Sequence, residues 1–198
     1  MGPSDEELVE AFRGGDFDAF DVLVRRWDRK IRGAVQRILG SEDDARDVSQ
    51  ETFLKAYRAL GTFKGEARFS SWLYQIALNL CRDRMRRRKG RTLVSLADLG
   101  EDGSSLPGGA PRPSAFDMVA AGDLARAVAA AVAALPEEQR EIVVLKEYQE
   151  LTFVEIAEVL GVPLSTVKTR LYRGLSQLRA DLERQGIRRA APVPAALS

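Results

Sequence analysis

The residues of this chain best suited to do chemistry are those that hold polyanion. Residues 82–91 carry seven cations, Arg82, Arg84, Arg86, Arg87, Arg88, Lys89 and Arg91, against one acid, Asp83. Such a cluster repels itself unless an anion neutralises it. Laid on a phosphate backbone, it gives affinity that depends on salt and not on sequence. Upstream, Tyr57, Phe63, Lys64, Arg68, Phe69, Trp72 and Tyr74 interleave rings with cations around a loop. Rings stack on unpaired bases for about 1–3 kcal/mol each while neighbouring Lys and Arg hold phosphates. Phe69 and Trp72 also sit at helical spacing, which favours a core role, so Phe63 is the expected direct contact. A third group, Ser165, Thr166, Lys168, Thr169, Tyr172 and Arg173, occupies one side of a C-terminal helix. There Lys168 or Arg173 could donate to guanine edges in the major groove, each good pair discriminating by about 1–3 kcal/mol, with Ser and Thr hydroxyls meeting bases or phosphates. The competing reading of the first and third groups is a solvated polar face of an ordinary helix.

Composition removes other chemistries. The chain has 198 residues, 45% hydrophobic and 30% charged, with one Cys and no His. Without histidine, Ser-His-Asp, Cys-His and His-metal constellations are absent. The carboxylate pairs Asp43 and Asp44, and Glu137 and Glu138, fall at expected helix starts, where the helix dipole accounts for them. The expectation is therefore a protein that is not an enzyme, with no cofactor and no metal. A single cysteine cannot form an internal disulfide, so Cys81 reads as a buried reduced thiol. Its neighbours Arg82 and Arg84 leave a lowered pKa and a redox role as the alternative. The acidic N-terminus has no apolar stretch behind it, and the longest apolar run, residues 127–135, is far short of a membrane span. We expect a cytoplasmic protein with no membrane insertion. Net charge is +1 overall but segregated: residues 1–24 carry 1 base and 7 acids, 55–91 carry 11 bases and 2 acids, 117–158 carry 3 bases and 9 acids, and 164–179 carry 4 bases and no acid. Two basic surfaces beside acidic ones suit a protein that touches polyanion at two places.

The elements that must position these residues all read as helix, and no strand alternation is found, so the fold class is all-α. Ser4 and Glu7 form a capping-box pattern. Phe20, Leu23, Val24, Trp27, Ile31, Val35 and Ile38 then recur at helical spacing until Gly40. Ser41 opens a third helix that ends at Gly61. After the loop 62–66, a fourth helix carries Phe69, Trp72, Leu73, Ile76 and Leu80 and runs on into the arginine cluster. Residues 100–114 turn to Gly, Pro and Ser and read as a linker. Helices follow near 116–134 and after Pro136. Then Thr152 and Glu155 cap a short helix, Gly161-Val-Pro163 makes a tight turn, and a second helix starts at Leu164 or Ser165. Its apolar residues Leu164, Val167, Leu171, Leu175, Leu178 and Leu182 define one buried face. The tail from Gln185 reads as disordered.

These residues resemble a family. The stretch Asp47-Val-Ser-Gln-Glu-Thr-Phe-Leu-Lys-Ala-Tyr-Arg58, with Phe63-Lys-Gly-Glu66 and Phe69-Ser-Ser-Trp-Leu-Tyr-Gln-Ile-Ala-Leu-Asn79, looks like the second conserved region of bacterial sigma factors, and residues 151–182 resemble their fourth region. With a linker where larger members carry a third-region domain, the chain resembles an extracytoplasmic-function (group 4) sigma factor of the sigma-70 family. The resemblance implies a region 2 domain at 1–91, a flexible linker at 92–115 passing through polymerase channels, a region 4 helix-turn-helix domain at 116–184 and a disordered tail at 185–198. It further implies that the protein binds RNA polymerase core, directs it to promoters and promotes melting in a stress or envelope response. Asp47, Gln50, Glu51, Phe53 and Leu54 would dock on the clamp of the largest subunit, and the fourth region on the flap of the second-largest. Phe63, Lys64, Arg68, Ser70, Asn79, Arg82 and Arg86 would take the minus-ten element, the loop capturing a flipped base. Ser165, Thr166, Lys168, Thr169, Tyr172 and Arg173 would read the minus-thirty-five element. An anti-sigma factor that masks both domains is the further implied partner. The rival readings are an operator-binding regulator, which gives no reason for the pattern from Phe63 to Asn79, and an enzyme acting on nucleic acid through paired carboxylates.

Overall fold

The computed structural model describes residues 2–65, 67–98 and 123–187, with eight α-helices and no strand among them. The N-terminal half holds α1 (Asp5–Arg13), α2 (Asp18–Leu39), α3 (Glu42–Leu60) and α4 (Phe69–Asp98). The caps explain the boundaries. Ser4 Oγ accepts from the Glu7 amide at 3.2 Å, and the Glu7 carboxylate accepts from the Ser4 amide at 2.7 Å. Gly40 closes α2 at φ 66°, a conformation that costs glycine least, and Ser41 caps α3 by accepting from the Asp44 amide. The core of this half follows the helical period: Leu23, Trp27, Ile31, Val35 and Ile38 of α2 meet Val48, Phe53, Ala56 and Leu60 of α3 and Phe69, Leu73, Ala77 and Leu80 of α4.

The C-terminal half holds α5 (Asp123–Ala134), α6 (Glu137–Val143), α7 (Phe153–Leu160) and α8 (Leu164–Arg184). Pro136 stands at the N-cap of α6, where its missing amide hydrogen costs nothing. Periodicity after Pro136 reads as one ordinary helix, but α6 passes into a π-helical turn over Val144–Tyr148. That turn ends where Glu150 takes φ 57° and the Leu151 amide donates back to Leu145 O at 3.1 Å. The expected linker at 100–114, the helix start at 116–122, Arg91 as a side chain and the tail beyond Ile187 lie outside the described residues.

Two departures concern α8. Leu164, assigned to its buried face, is 40% exposed, because it is the first residue of the helix and lies beyond the reach of α6 and α7. Gly174 is buried, and a Cβ there would stand 3.0 Å from Val143 Cγ2 and 3.4 Å from Gln139 Cβ, so the α6–α8 crossing has no room for a side chain. Overpacking of this kind costs about 1–3 kcal/mol. Gly174→Leu is expected to lower the denaturant midpoint accordingly, whereas Gly61→Ala, in open space at φ −60°, should leave it unchanged or raise it slightly.

Candidate nucleic-acid interface

The helix-turn-helix is built from its caps. Thr152 Oγ1 accepts from the Glu155 amide at 3.2 Å, the Glu155 carboxylate accepts from the Thr152 amide at 2.8 Å, and Gly161 turns the chain at φ 65°. With Val167, Leu171, Leu178 and Leu182 in the core, α8 turns Ser165, Lys168, Thr169, Tyr172 and Arg173 outward and leaves Thr166 partly covered. Thr169 Oγ1 donates to Ser165 O at 2.9 Å, and Lys168 Nζ lies 5.8 Å from the Phe153 ring centre. Neither Lys168 nor Arg173 is in an ion pair among the described residues, whereas Arg170 is tied to Glu138 at 2.7 Å.

Around the loop the expectation for Phe63 is corrected. Its ring is buried against Trp72 at 4.8 Å and Phe69 at 6.4 Å, because the loop folds back onto the open end of the α3–α4 core. Phe63 therefore anchors the loop and offers no free face for stacking. Phe69 and Trp72 belong to the same aromatic cluster, as their spacing indicates. Lys64 and Arg68 are exposed, and Ser70 is partly covered at the start of α4. Asn79, Arg82 and Arg86 fall at i, i+3 and i+7 of α4 and so share one stripe.

The basic cluster is not a bare cationic face. Arg82 Nε and Nη2 fork onto the two Glu141 oxygens at 2.9 and 2.7 Å. Arg84 Nε donates to Asp44 Oδ1 at 2.7 Å and its Nη2 to Asp47 Oδ2 at 3.1 Å. Arg88 also pairs with Asp44, Arg86 with Asp83, and Lys89 Nζ faces Glu137 at 3.6 Å. Asp44, expected only to complement the α3 dipole, is thus buried and pins α4 to α3. Burial pushes the Glu141 carboxyl above the usual carboxylate range despite the Arg82 fork, and hydrogen bonding to Glu141 raises Arg82. Burial, reinforced by Glu141, pushes the Cys81 thiol up and outweighs the opposing effect of Arg82, so the alternative of an activated redox cysteine is overturned.

On α3, Asp47, Gln50, Glu51 and Leu54 are exposed. Phe53 is not: it sits on the Val48, Ala56, Leu60 side and packs into the core, which corrects its assignment as a contact residue. Leu54, 51% exposed, is joined instead by Tyr57 at 45% and Phe17 at 61%. Phe12 lies under both rings, 5.3 Å from Tyr57 and 5.5 Å from Phe17, so the ridge is rigidly seated. The Leu54 to Tyr57 spacing marks this ridge in the sequence; the approach of Phe17 is a tertiary contact with no local signal.

Together these features define a two-part helical protein with a helix-turn-helix in one half and a basic, aromatic-backed surface in the other. Comparison with known proteins matches residues 23–91 to Sigma-70 region 2 and residues 125–178 to Sigma-70, region 4. The chain is 35% identical to the ECF RNA polymerase sigma factor SigW of Bacillus subtilis (strain 168), over 89% of this chain and 96% of that one. It is also 35% identical to the ECF RNA polymerase sigma-E factor of Escherichia coli (strain K12), over 86% and 90%. Among solved structures it is similar to CnrH in complex with the cytosolic domain of CnrY, with TM-score 0.65 and 27% identity over 91% of this chain and 97% of CnrH. The fold is shared with the sigma factor RpoE of Bartonella quintana in complex with the anti-sigma factor NepR, with TM-score 0.66 and 22% identity over 83% and 96%. The chain belongs to the extracytoplasmic-function sigma factors of the sigma-70 family, transcription regulators that act in promoter-directed initiation. Among the described residues no helix is long and apolar enough to cross a membrane.

Glu155 supplies a pH test of this geometry. Burial alone would raise its carboxyl, but hydrogen bonds from Thr152 and the Arg68 charge together hold it below the usual range. A depressed value stabilises the fold above the unfolded carboxylate pKa of about 4.3, and the contribution is lost as pH falls through the depressed one. Glu155→Ala should therefore cost about 1 kcal/mol at neutral pH. In thermal melts the gap between variant and parent should close as the buffer is taken to strongly acidic pH.

Proposed function

We infer that the chain binds RNA polymerase core, brings it to promoters with two spaced elements and promotes opening of the duplex. Residues 1–91 act as the region 2 domain, 116–184 as the region 4 domain, 92–115 as the tether between them and 185–198 as a tail. The observation that carries this reading is the α8 face: polar, basic, acid-free and turned outward by a capped helix-turn-helix. Ser165, Thr166, Lys168, Thr169, Tyr172 and Arg173 read the minus-thirty-five element from it. Lys64, Arg68, Ser70, Asn79, Arg82 and Arg86 hold the minus-ten strand, with Phe63 positioning the loop from beneath. The polymerase clamp docks on Asp47, Gln50, Glu51 and Leu54, and the Tyr57 and Phe17 ridge continues that surface. CnrH was solved in complex with the cytosolic domain of CnrY, which supports a protein partner for this chain, and we infer that this partner is an anti-sigma factor that masks both halves.

The test is run-off transcription with sigma-free polymerase core and sheared DNA from the source organism. Transcript starts that share two spaced upstream motifs are expected; DNA binding without starts or a polymerase complex would favour an operator-binding regulator. On a promoter so defined, Lys168→Ala and Arg173→Ala should each weaken promoter binding about tenfold while core binding persists. Asn79→Ala should leave closed-complex binding intact and reduce permanganate reactivity of melted thymines. Equal reactivity would remove Asn79 from the melted-strand contact.

A further inference from the structure

One basic segment takes no part in the contacts proposed above. Residues 25–37 of α2 carry six cations against one acid, Asp28. Two of the six are engaged beside α1 and on α2 itself, Arg26 with Asp5 and Lys30 over the Trp27 ring. Arg29, Arg32 and Arg37 line a cavity of about 580 Å³ between α2 and the first turns of α3. That volume falls within the range of small-molecule sites.

Helical spacing and one glycine make the cavity. Arg29, Arg32, Gly33 and Gln36 fall at i, i+3, i+4 and i+7 of α2 and so form one stripe. Gly40, left-handed at φ 66°, reverses the chain, and Glu42, Ala45 and Arg46, at i, i+3 and i+4 of α3, line the opposite wall. Glycine inside a helix is unfavourable, and no close packing demands it here. A Cβ at Gly33 would approach the flexible end of the Arg37 side chain, at 3.2 Å, and no other residue of the cavity. The missing side chain is what opens the floor.

The lining suits an oxyanion. Four guanidinium groups, from Arg29, Arg32, Arg37 and Arg46, stand against two carboxylates, Asp28 and Glu42. Asp28 is already engaged, since Arg32 Nη2 donates to both its oxygens at 3.2 and 3.1 Å. Glu42 lies in the first turn of α3, where the helix dipole offsets its charge. Arg37 is fixed in place: its Nη1 donates to Gly33 O at 3.0 Å, and its guanidinium lies 4.3 Å from the Tyr148 ring centre. Arg46 is exposed and in no ion pair among the described residues. Gln36 Nε2 is buried without a hydrogen-bond partner, an unmade bond that an acceptor oxygen in the cavity would complete. Phosphoryl oxygens satisfy such donors, and guanidinium holds them in pairs. Guanidinium groups on two facing helices match two linked phosphoryl groups better than one.

We propose that the α2–α3 cavity binds a small molecule carrying two linked phosphoryl groups, held by Arg32 and Arg46 from opposite walls with Gln36 donating between them. The site is independent of how the chain meets promoter or polymerase, because none of these residues is assigned to either.

The experiment is isothermal titration calorimetry of the full chain with inorganic pyrophosphate in dilute, metal-free buffer. One site per chain is expected, about tenfold tighter for pyrophosphate than for orthophosphate, sulfate or citrate. Arg32→Gln and Arg46→Gln should each weaken binding about tenfold or more, as loss of a charge-assisted hydrogen bond requires. Arg179→Gln, an exposed arginine of α8, should leave it unchanged. Gly33→Leu removes no charge but fills the floor, and should abolish binding in a chain that stays helical by circular dichroism. Should G33L lose helicity, Gln36→Met, which keeps length and removes the amide, must weaken binding about fivefold. Parental affinity in R32Q and R46Q overturns the proposal. So does parental affinity in a folded G33L, which places the anion on the arginine surface outside the cavity. Equal affinity for sulfate or citrate, or a loss in R179Q matching that in R46Q, reduces the binding to general charge attraction and also overturns it. Displacement of pyrophosphate by a single-stranded oligonucleotide at equal phosphate concentration assigns the cavity to a nucleic-acid backbone and overturns the small-molecule site.

Discussion

The structure depends on neutralising the row of guanidinium groups that α4 carries. A helix with Arg82, Arg84, Arg86, Arg87, Arg88 and Lys89 in one stretch is unstable beside a core unless anions meet it. Two sets of carboxylates do so, and they differ in permanence. Asp44 and Asp47 belong to α3, packed beside α4 in the same half, so Arg84 and Arg88 are structural. Glu141, Glu155 and Glu137 come from the other half of the chain, across the helix seam. Removing one partner of a buried pair strands the other at a cost of about 3–5 kcal/mol. Separating the halves would strand neither, since both charges would become hydrated.

Precision on the DNA-reading side comes from caps more than from packing. The turn between α7 and α8 is fixed by the reciprocal Thr152 and Glu155 bonds, by Gly161 in the left-handed region and by Pro163 just ahead of α8. The α6–α8 crossing at Gly174 then sets how far α8 stands from the core. A small error in either would rotate α8 as a unit and swing Lys168 and Arg173 together away from the outward side, since about 100° of turn carries one helical position to the next. The π-helical turn after α6 contributes by redirecting the chain so that Gln149 and Tyr148 reach the seam.

What the sequence made legible is what local chemistry dictates. Ser4, Ser41, Thr152, Gly40 and Gly161 mark helix ends because capping involves neighbours a few residues away. The α8 face was readable because burial along a single helix follows its period. Illegible were features decided by other elements. Phe63 looks like an exposed loop aromatic until Trp72 is placed beneath it, and Phe53 looks like a surface residue until α3 is rotated against α2. Asp44 carries the same local signature as Asp43, yet only Asp44 meets Arg84 and Arg88, forty or more residues away in the chain. The partnership of Glu141 with Arg82 has no local signal at all, although the opposite charges of the two blocks hinted at it.

The two recognition surfaces are thus in unequal states. On α8, Lys168 and Arg173 have no acidic partner among the described residues, so a duplex proposed to meet them would break no ion pair of the fold. On α4, Arg82 is already satisfied by Glu141, so a phosphate proposed to meet that guanidinium would have to displace a buried carboxylate.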